Sequence, residues 1–257
     1  MSISKPEIPG AILIFSCHKH KETRLKKFSL KQNDYAGWKV FYIIGNPLLE
    51  QEYSIEDNLI TIQCEDSYIH VLKKVIMGFK IILDMFTIQY GILRCGDDLI
   101  FHEEKLLYFL NNVNKTDYMG RGAFKNTQMV AKYDNFMPQY FLNHPEDLTN
   151  PLNGITYSME QLLTMNIIPN CCYVGGVVVY LSLHACQILI KHMEEIQWDV
   201  FHTNQFGYPY IIEDVGVGYI LNTNHIYPTI YHLYSDHAID IKNSISQSFA
   251  FHTNMYK

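Results

Sequence analysis

Two adjacent carboxylates, Asp97 and Asp98, end an apolar run in the stretch YGILRCGDDLIF. Burying one carboxylate is costly, and burying two side by side costs more. A solvated turn at the surface would avoid this cost, and a bound divalent cation would compensate for it. The residue types alone leave both interpretations open.

A second acidic pair, Glu213 and Asp214, follows the aromatic stretch FGYPYII in the segment IIEDVG. Aromatic neighbours would exclude water from a carboxylate and raise its pKa, which suits a general base that works near neutral pH. Acidic residues are also favoured in the first turn of a helix because of the helix dipole. The two interpretations are compatible, since a carboxylate at a helix start is also held in position.

Strands and helices alternate around the first acidic pair. Strands are predicted in GAILIFSCHK, WKVFYIIGNP and NLITIQC, and a further strand, ILRC, leads directly to the two acids. The segment 65–91 has apolar residues at helical spacing, with Asp66 or Ser67 at its start and Gly91 at its end. Helices are also predicted in HKETRLKKFSL and HEEKLLYFLNNV.

This alternation predicts an α/β fold with a mostly parallel central sheet and flanking helices. Sheets of this kind bind their ligands beyond the carboxyl ends of the strands. Asp97 and Asp98 lie at such an end. Their position therefore favours a binding site over a simple surface turn.

The composition excludes one broad class of function. The chain has 257 residues, of which 48% are hydrophobic, enough for a substantial core, and we predict one continuous domain. The formal net charge of -6 argues against general binding of nucleic acid, because phosphate backbones require clustered Lys and Arg. A small anionic ligand remains compatible with this charge if a metal ion accompanies it.

Cysteines and apolar stretches bear on the location of the protein. The six cysteines have no C-x-x-C spacing, which predicts reduced thiols and no zinc site. No secretory leader or membrane anchor is recognised, so we expect a cytoplasmic protein without an integral membrane segment. The apolar stretch 171–190 contains Gly175 and Gly176 and several polar side chains, which predict a strand end, a glycine turn and a buried helix.

Four segments together resemble one protein family, the β-1,3-galactosyl- and N-acetylglucosaminyltransferases. CEDSYIHVLKK is similar to the family's D-S-Y-x-N-L-T-x-K segment, and LRCGDDLIF to its K-x-D-D-D-x-F metal motif. YVGGVVVYLS is similar to its glycine-rich turn with following helix, and IIEDVGVGYIL to its E-D-V-x-x-G segment. The motifs keep the family's order, and the resemblance covers about residues 11–225.

The resemblance implies an inverting glycosyltransferase with a single GT-A-like (Rossmann-like) domain. Residues 1–115, approximately, would bind the nucleotide sugar, and residues 116–257 would bind the acceptor. The expected donor is a UDP-sugar, the expected acceptor is a hydroxyl of a glycan or another molecule, and the expected cofactor is Mn²⁺ or Mg²⁺. The donor sugar, the linkage and the oligomeric state are not implied.

The resemblance also assigns roles to individual residues. Asp98 would bind the metal ion together with His237 or, as second choice, His232, since imidazole suits Mn²⁺ better than Mg²⁺. Asp214 would take the proton of the acceptor hydroxyl, and Glu213 would support it. Lys74 could instead be an exposed residue on a helix surface without a role in binding. Gly175 and Gly176 could instead form a tight turn that contacts no ligand. The expected substrate-binding residues are Arg24, Asp66, Lys74, Asp97, Gly175 and Gly176.

One departure from the family concerns the substrate. Gly96 occupies the position of the first acid in the family's triplet. In a D-x-D arrangement the first carboxylate usually faces the ribose and the last faces the metal, so the comparison keeps Asp98 and loses the ribose contact. The alternatives are a catalytically inactive nucleotide-sugar- or glycan-binding protein of the same fold and, with less support, a metal-dependent nucleotidyltransferase. The latter ordinarily has a basic, glycine-rich loop, and the opening loop of this chain lacks such glycines.

Overall fold

The computed structural model of the chain describes residues 4–28, 30, 34–113, 116–122, 124–125, 136–163, 171–204, 207–235 and 248–253. These residues form an α/β fold in which helices cover a large central sheet. The strands are β1 (Glu7–Phe15), β2 (Asp34–Tyr35), β3 (Trp38–Gly45), β4 (Tyr53–Glu56), β5 (Leu59–Ile62), β6 (Thr87–Gly96), β7 (Leu99–Phe101), β8 (Tyr118–Gly120), β9 (Phe124–Lys125), β10 (Cys172–Tyr173), β11 (Val178–Ser182), β12 (Thr229–Ile230), β13 (Tyr234–Ser235) and β14 (Ala250–His252). The α-helices are α1 (Val71–Met85), α2 (Glu103–Asn111), α3 (Phe136–Asn143), α4 (Glu146–Thr149), α5 (Met159–Leu163), α6 (Leu183–Glu195) and α7 (Glu213–Thr223).

The central sheet is mixed, with the order β12-β8-β11-β6-β1-β3-β5-β4 and with β2 paired to β3. The middle strands β6, β1, β3 and β5 run parallel, and β11 lies antiparallel between β6 and β8. The α/β fold class predicted from the sequence is confirmed. Parallel strands end at a common edge of the sheet, and β11, which runs the other way, begins there. Residues that follow β1, β3 and β6 therefore meet those that precede β11.

The two faces of the sheet carry separate hydrophobic clusters. Ala11, Leu13 and Phe15 of β1 pack into a cluster with residues of α1, α6 and α7. Ile12 and Ile14 of the same strand pack into a second cluster that contains residues of α2. Burial on both faces explains why this strand is a continuous apolar run in the sequence and shows no alternation. The same double burial holds the end of β1 firmly at the common edge.

Helix α1 is shorter than the helix predicted over 65–91. Asp66 does not cap the helix, because its carboxylate accepts hydrogen bonds from Lys74 and from backbone groups of two loops. Gly91 does not end it either, since it lies inside β6. A Cβ atom at this position would lie 2.1 Å from the carbonyl oxygen of Leu181 in β11. The glycine therefore permits the close approach of two strands. The sequence did not indicate this role, because the apolar residues before Gly91 continue the helical spacing.

The helix predicted in HKETRLKKFSL is also not observed. The segment contains two short 3-10 turns, His18–His20 and Leu25–Lys27. Leu25 is the only aliphatic residue between His18 and Phe28, so the segment has no apolar stripe that could hold a helix against the sheet. The turns instead direct Arg24 toward Asp97.

The apolar segment 171–190 consists of several elements. Strand β10 precedes the two glycines, and β11 and the first half of α6 follow them. The predicted glycine turn is therefore followed by a strand before the helix begins. No helix in the described parts of the chain is both long enough and apolar enough to cross a bilayer.

A small second sheet joins the end of the described chain to the first acidic pair. Strand β14 pairs in parallel with β13 and antiparallel with β7. In this register His252 lies opposite Leu99, the residue directly after Asp98. The small sheet thus brings a histidine to the edge where β6 ends.

Candidate active site

A cavity of about 760 Å³ opens at the edge of the central sheet where β1 and β6 end. Its volume lies within the range of small-ligand sites, about 300–1,000 Å³. Both acidic pairs of the sequence face this one cavity, although they are far apart along the chain. The sequence-predicted residues that line it are Arg24, Asp66, Lys74, Asp97, Asp98, Gly175, Gly176, Glu213 and Asp214.

Asp97 is buried, and both of its carboxylate oxygens have donors. Ser16 Oγ donates to Asp97 Oδ2 at 2.6 Å, and Arg24 Nη1 donates to Asp97 Oδ1 at 2.8 Å. The hydroxyl follows β1 and the guanidinium comes from the loop after it, so Asp97 ties this loop to the end of β6. The cost of burying the first acid of the pair is therefore met by hydrogen bonds and by one ion pair.

Asp98 has a different environment, because its carboxylate faces a histidine. Asp98 Oδ1 lies 4.0 Å from His252 Nε2, and the two side chains are 42% and 33% exposed. A Cβ atom at Gly96 would lie 3.1 Å from Asp98 Oδ1, so the glycine leaves space beside this carboxylate. Asp98 and His252 are thus two partly exposed side chains, of types that can bind a metal ion, that lie near each other at the cavity wall.

His252 was missed by the sequence analysis, which chose His237 and His232. His232 is exposed and is not among the residues that line the cavity, since it alternates with the buried Leu233. His237 lies outside the described residues. The signal for His252 is the short segment SFAF before it, whose last three residues are apolar and indicate a short strand. A strand there would pair with another strand and bring the histidine next to it.

Asp66 and Lys74 form a buried ion pair at the end of the cavity that lies near β1 and β3. Lys74 Nζ donates to Asp66 Oδ1 at 2.5 Å and to the carbonyl oxygen of Ser16 at 2.6 Å. Asp66 also accepts from the backbone N–H groups of Gly45 and His18. Lys74 is therefore not a surface residue of α1, and the pair connects the ends of β1 and β3 to this helix.

The pKa values of Asp66 and Lys74 are both shifted in the direction that keeps the two side chains charged. Burial by itself would raise the pKa of Asp66, but Lys74 and His18 outweigh it and the pKa is lowered. Burial would lower the pKa of Lys74, but Asp66 outweighs it and the pKa is raised. Stability from the pair is present above the ordinary carboxyl pKa of about 4 and below the ordinary lysine pKa of about 10.

Replacing Lys74 with Met is expected to destabilise the fold by about 3–5 kcal/mol at neutral pH, because it leaves Asp66 buried without its counter-ion. The matched control is Lys73→Met in the same helix. Lys73 pairs with Glu65 near the surface, so this change should cost about 1 kcal/mol or less. Urea unfolding of both variants measures the difference. Equal losses would contradict a structural role for the buried pair.

The second acidic pair begins α7, as the helix-start interpretation expects. Burial raises the pKa of Glu213 to about 7, although Arg94 opposes the shift. Burial also raises the pKa of Asp214 to about 6, against hydrogen bonds from the backbone N–H groups of Val215 and Gly176. Both carboxyl groups therefore change charge close to neutral pH, which is the property of a general base.

Arg94 contacts Glu213 and was missed by the sequence analysis. It lies inside the apolar strand β6, and its Nη2 donates to Glu213 Oε2 at 2.5 Å. Its Nη1 donates to the carbonyl oxygen of Gly176. The signal was a single arginine within the apolar run GILRC, because a buried cation requires an anionic partner elsewhere in the chain.

The two glycines that precede β11 pass close to two side chains that line the cavity. A Cβ atom at Gly175 would lie 3.1 Å from Tyr234 Oη, and one at Gly176 would lie 3.1 Å from Glu213 Oε2. The pair therefore allows the backbone to run directly against the acids and the cavity.

The cavity wall near Asp66 also includes residues of the segment 136–163. Tyr140 stacks on Tyr68 with ring centroids 4.9 Å apart, and its hydroxyl donates to Asp147 Oδ2 at 2.6 Å. Lys19 lies 3.7 Å from Asp147 Oδ1. Both halves of the chain thus contribute to this wall, while the predicted division into donor and acceptor halves stays a prediction.

The model of the Galactosyltransferase family matches residues 46–231 of the chain. This range covers most of the chain and includes Asp66, Lys74, both acidic pairs and the glycine pair. The chain belongs to the Galactosyltransferase family, and its activity class is glycosyl transfer from a sugar donor to an acceptor. The resemblance noted in the sequence is confirmed. No curated protein matches the chain at a significant level.

Proposed function

We propose that the protein is a metal-dependent inverting glycosyltransferase that moves a sugar from a UDP-sugar to a hydroxyl of a glycan or another acceptor. One observation carries the proposal: a single cavity is lined at one place by the Asp98–His252 pair and at another by Glu213 and Asp214. The first pair suits a divalent cation, and the second suits proton removal from an acceptor.

The residues present fit a Mn²⁺ or Mg²⁺ ion. Asp98 Oδ1 and His252 Nε2 lie 4.0 Å apart on partly exposed side chains, and a carboxylate oxygen and an imidazole nitrogen are groups that would hold such an ion once the two side chains move slightly closer. No cluster of three or more His, Cys, Asp or Glu side chains suited to a metal ion occurs in the described parts of the chain. Two protein ligands are nevertheless typical of these ions when phosphate oxygens complete the coordination. A bound ion would supply positive charge to the departing diphosphate.

The charge of the cavity also supports a cation. The acids that line it are Asp66, Asp97, Asp98, Asp147, Glu213 and Asp214, and the Lys and Arg residues are Lys19, Arg24, Lys74 and Arg94. With every acid ionised, these groups carry a formal charge of −2, and with Glu213 protonated, as its pKa of about 7 allows near neutral pH, the charge is −1. Arg24 and Lys74 already form ion pairs with Asp97 and Asp66. A diphosphate would therefore meet a negatively charged wall unless a divalent cation entered with it.

Asp214 serves as the general base in this proposal. Its carboxylate lines the cavity and takes the proton of the acceptor hydroxyl while that oxygen attacks the anomeric carbon from the face opposite the diphosphate. Attack from the opposite face inverts the configuration at that carbon. A pKa of about 6 leaves Asp214 largely ionised at neutral pH and still basic enough to accept a proton.

The proposal is tested with a panel of sugar nucleotides screened for Mn²⁺-dependent release of UDP, with calorimetric titration of UDP in the presence and absence of Mn²⁺. We expect UDP to bind more tightly with Mn²⁺ and one or more UDP-sugars to turn over. Tight binding without any turnover would favour the inactive binding protein that Gly96 suggests. Release of pyrophosphate from a nucleoside triphosphate would favour the nucleotidyltransferase.

A further inference from the structure

Arg94 is an unusual residue for the interior of the sheet. It lies in β6 with its side chain 9% exposed, and its guanidinium sits 5.7 Å from the centre of the Phe15 ring. Its Nε is buried and has no hydrogen-bond partner among the described residues. A buried ion pair is a weak source of stability, and an unpaired buried N–H adds to its cost. Stability alone therefore does not explain this arginine.

From this geometry we infer that Arg94 is a positioning residue for the general base, and that it holds Asp214 through Glu213 and through the backbone of Gly176. The inference rests on the proposed function, in which Asp214 takes the acceptor proton. Arg94 itself is not placed against the reacting atoms, so it acts only through these two neighbours.

Two chains of contacts connect Arg94 to Asp214. In the first, Arg94 Nη2 donates to Glu213 Oε2 at 2.5 Å, and Glu213 precedes Asp214 in the first turn of α7. In the second, Arg94 Nη1 donates to the carbonyl oxygen of Gly176, and Gly176 packs against Asp214, since a Cβ atom at the glycine would lie 3.5 Å from Asp214 Cβ. The guanidinium thus fixes the helix start and the glycine turn on both sides of the base.

The charges around Asp214 come from several elements. Burial raises the pKa of Asp214, and Arg94 of β6 opposes this shift. Asp214 in turn raises the pKa of Glu213, on which Arg94 and Lys74 act in the opposite direction. Tyr118 of β8 and Cys171 before β10 also face the Asp214 carboxylate, but burial keeps both of them neutral at ordinary pH. Arg94 is therefore the cation that counteracts burial at the base.

A positioning role and a purely structural role predict different results. If Arg94 only stabilises the fold, its replacement lowers the melting temperature and the amount of active protein but leaves the pH profile in place. If it positions Asp214, removing its charge shifts the acid limb of the kcat profile to higher pH, since an unassisted carboxylate holds its proton more strongly. Glu213 has a pKa of about 7, so it is largely protonated where Asp214 titrates near pH 6, and replacing it with a neutral side chain leaves this limb close to its wild-type position.

The test uses three variants of the full chain: Arg94→Met, Arg94→Lys and Glu213→Gln. For Arg94→Met we expect the acid limb to move up by about one pH unit, because the loss of a positive charge that acts on Asp214 removes the effect opposing its burial. Arg94→Lys should restore the limb to within about half a unit but lower kcat, because a single ammonium group does not replace the two-armed guanidinium. Glu213→Gln keeps an oxygen acceptor for Arg94 and resembles the protonated side chain, so it should leave the limb close to its wild-type position.

A second measurement follows the carboxyl groups without any turnover. The pKa of Asp214 is read by ¹³C NMR of protein labelled at Asp and Glu, with Asp214→Asn used for assignment. A raised pKa of Asp214 in Arg94→Met supports the inference, and an unchanged pKa in the folded Arg94→Met variant overturns it. If Arg94→Met does not fold, Arg94→Lys decides: a lowered kcat per folded protein with the acid limb in place supports the inference, and an unchanged kcat overturns it. An inactive wild-type protein with these NMR shifts would count against the proposed function and leave the positioning role standing.

Discussion

Asp214→Asn should abolish sugar transfer and leave binding of UDP with Mn²⁺ intact. Asparagine has nearly the same shape but cannot accept a proton, and a positioned general base contributes about 10²–10⁴-fold to a rate. We therefore expect kcat to fall by roughly 10³-fold, with a calorimetric affinity for UDP close to that of the wild type. The wild-type rate should also fall as the pH drops below about 6, because protonation of Asp214 removes the base.

The control for this variant is Asp84→Asn. Asp84 lies on α1 with its side chain 61% exposed, and its carboxylate oxygens lie 3.6–3.8 Å from the ammonium groups of Lys5 and Lys80 at the surface. The same chemical change there should leave kcat unchanged. A rate for Asp214→Asn within threefold of the wild type, or a loss of UDP binding equal to the loss of rate, would reject Asp214 as the base.

Asp98→Ala should remove the dependence on Mn²⁺ together with most of the activity. The reason is that Asp98 would supply the carboxylate for the ion, and the charge stabilisation by a metal ion is worth several kcal/mol in the transition state, or roughly 10³-fold in rate. His252→Ala keeps the carboxylate, so it should raise the Mn²⁺ concentration needed for half-maximal activity and affect the rate less at saturating Mn²⁺. Titration of activity with Mn²⁺ measures both effects.

His232→Ala is the matched control for the metal site. Its side chain is exposed and lies away from the cavity lining, so the Mn²⁺ titration should be the same as for the wild type. If His232→Ala raised the Mn²⁺ requirement and His252→Ala did not, the choice of His252 as the metal ligand would be wrong. Full activity of Asp98→Ala without added metal would reject the metal site itself.

The fold class and nine of the residues that line the cavity, both acidic pairs among them, could be predicted from the sequence because their signals are local. The parallel strands are apolar runs, and Asp97 and Asp98 follow one of them directly, so their place at the sheet edge follows from topology. The start of α7 at Glu213 is similarly a local property of acidic residues in a first turn.

The residues that were missed depend on contacts between distant parts of the chain. His252 reaches Asp98 only through the pairing of β14 with β7, two short strands about 150 residues apart, and short strands have weak sequence signals. The partnership of Arg94 with Glu213 spans a separation of 119 residues. Lys74 looks like a surface residue of an amphipathic helix unless its buried partner Asp66 is known.

Strand β6 has a consequence for how relatives of this protein can diverge. Asp98 lies two residues beyond its end, and Arg94 within it anchors the start of α7. In the proposed function, the spacing between the metal site and the general base is therefore set by one β-strand at the centre of the sheet. Segments that only cover the cavity are not part of this strand, so changes in them would alter the acceptor and leave that spacing in place.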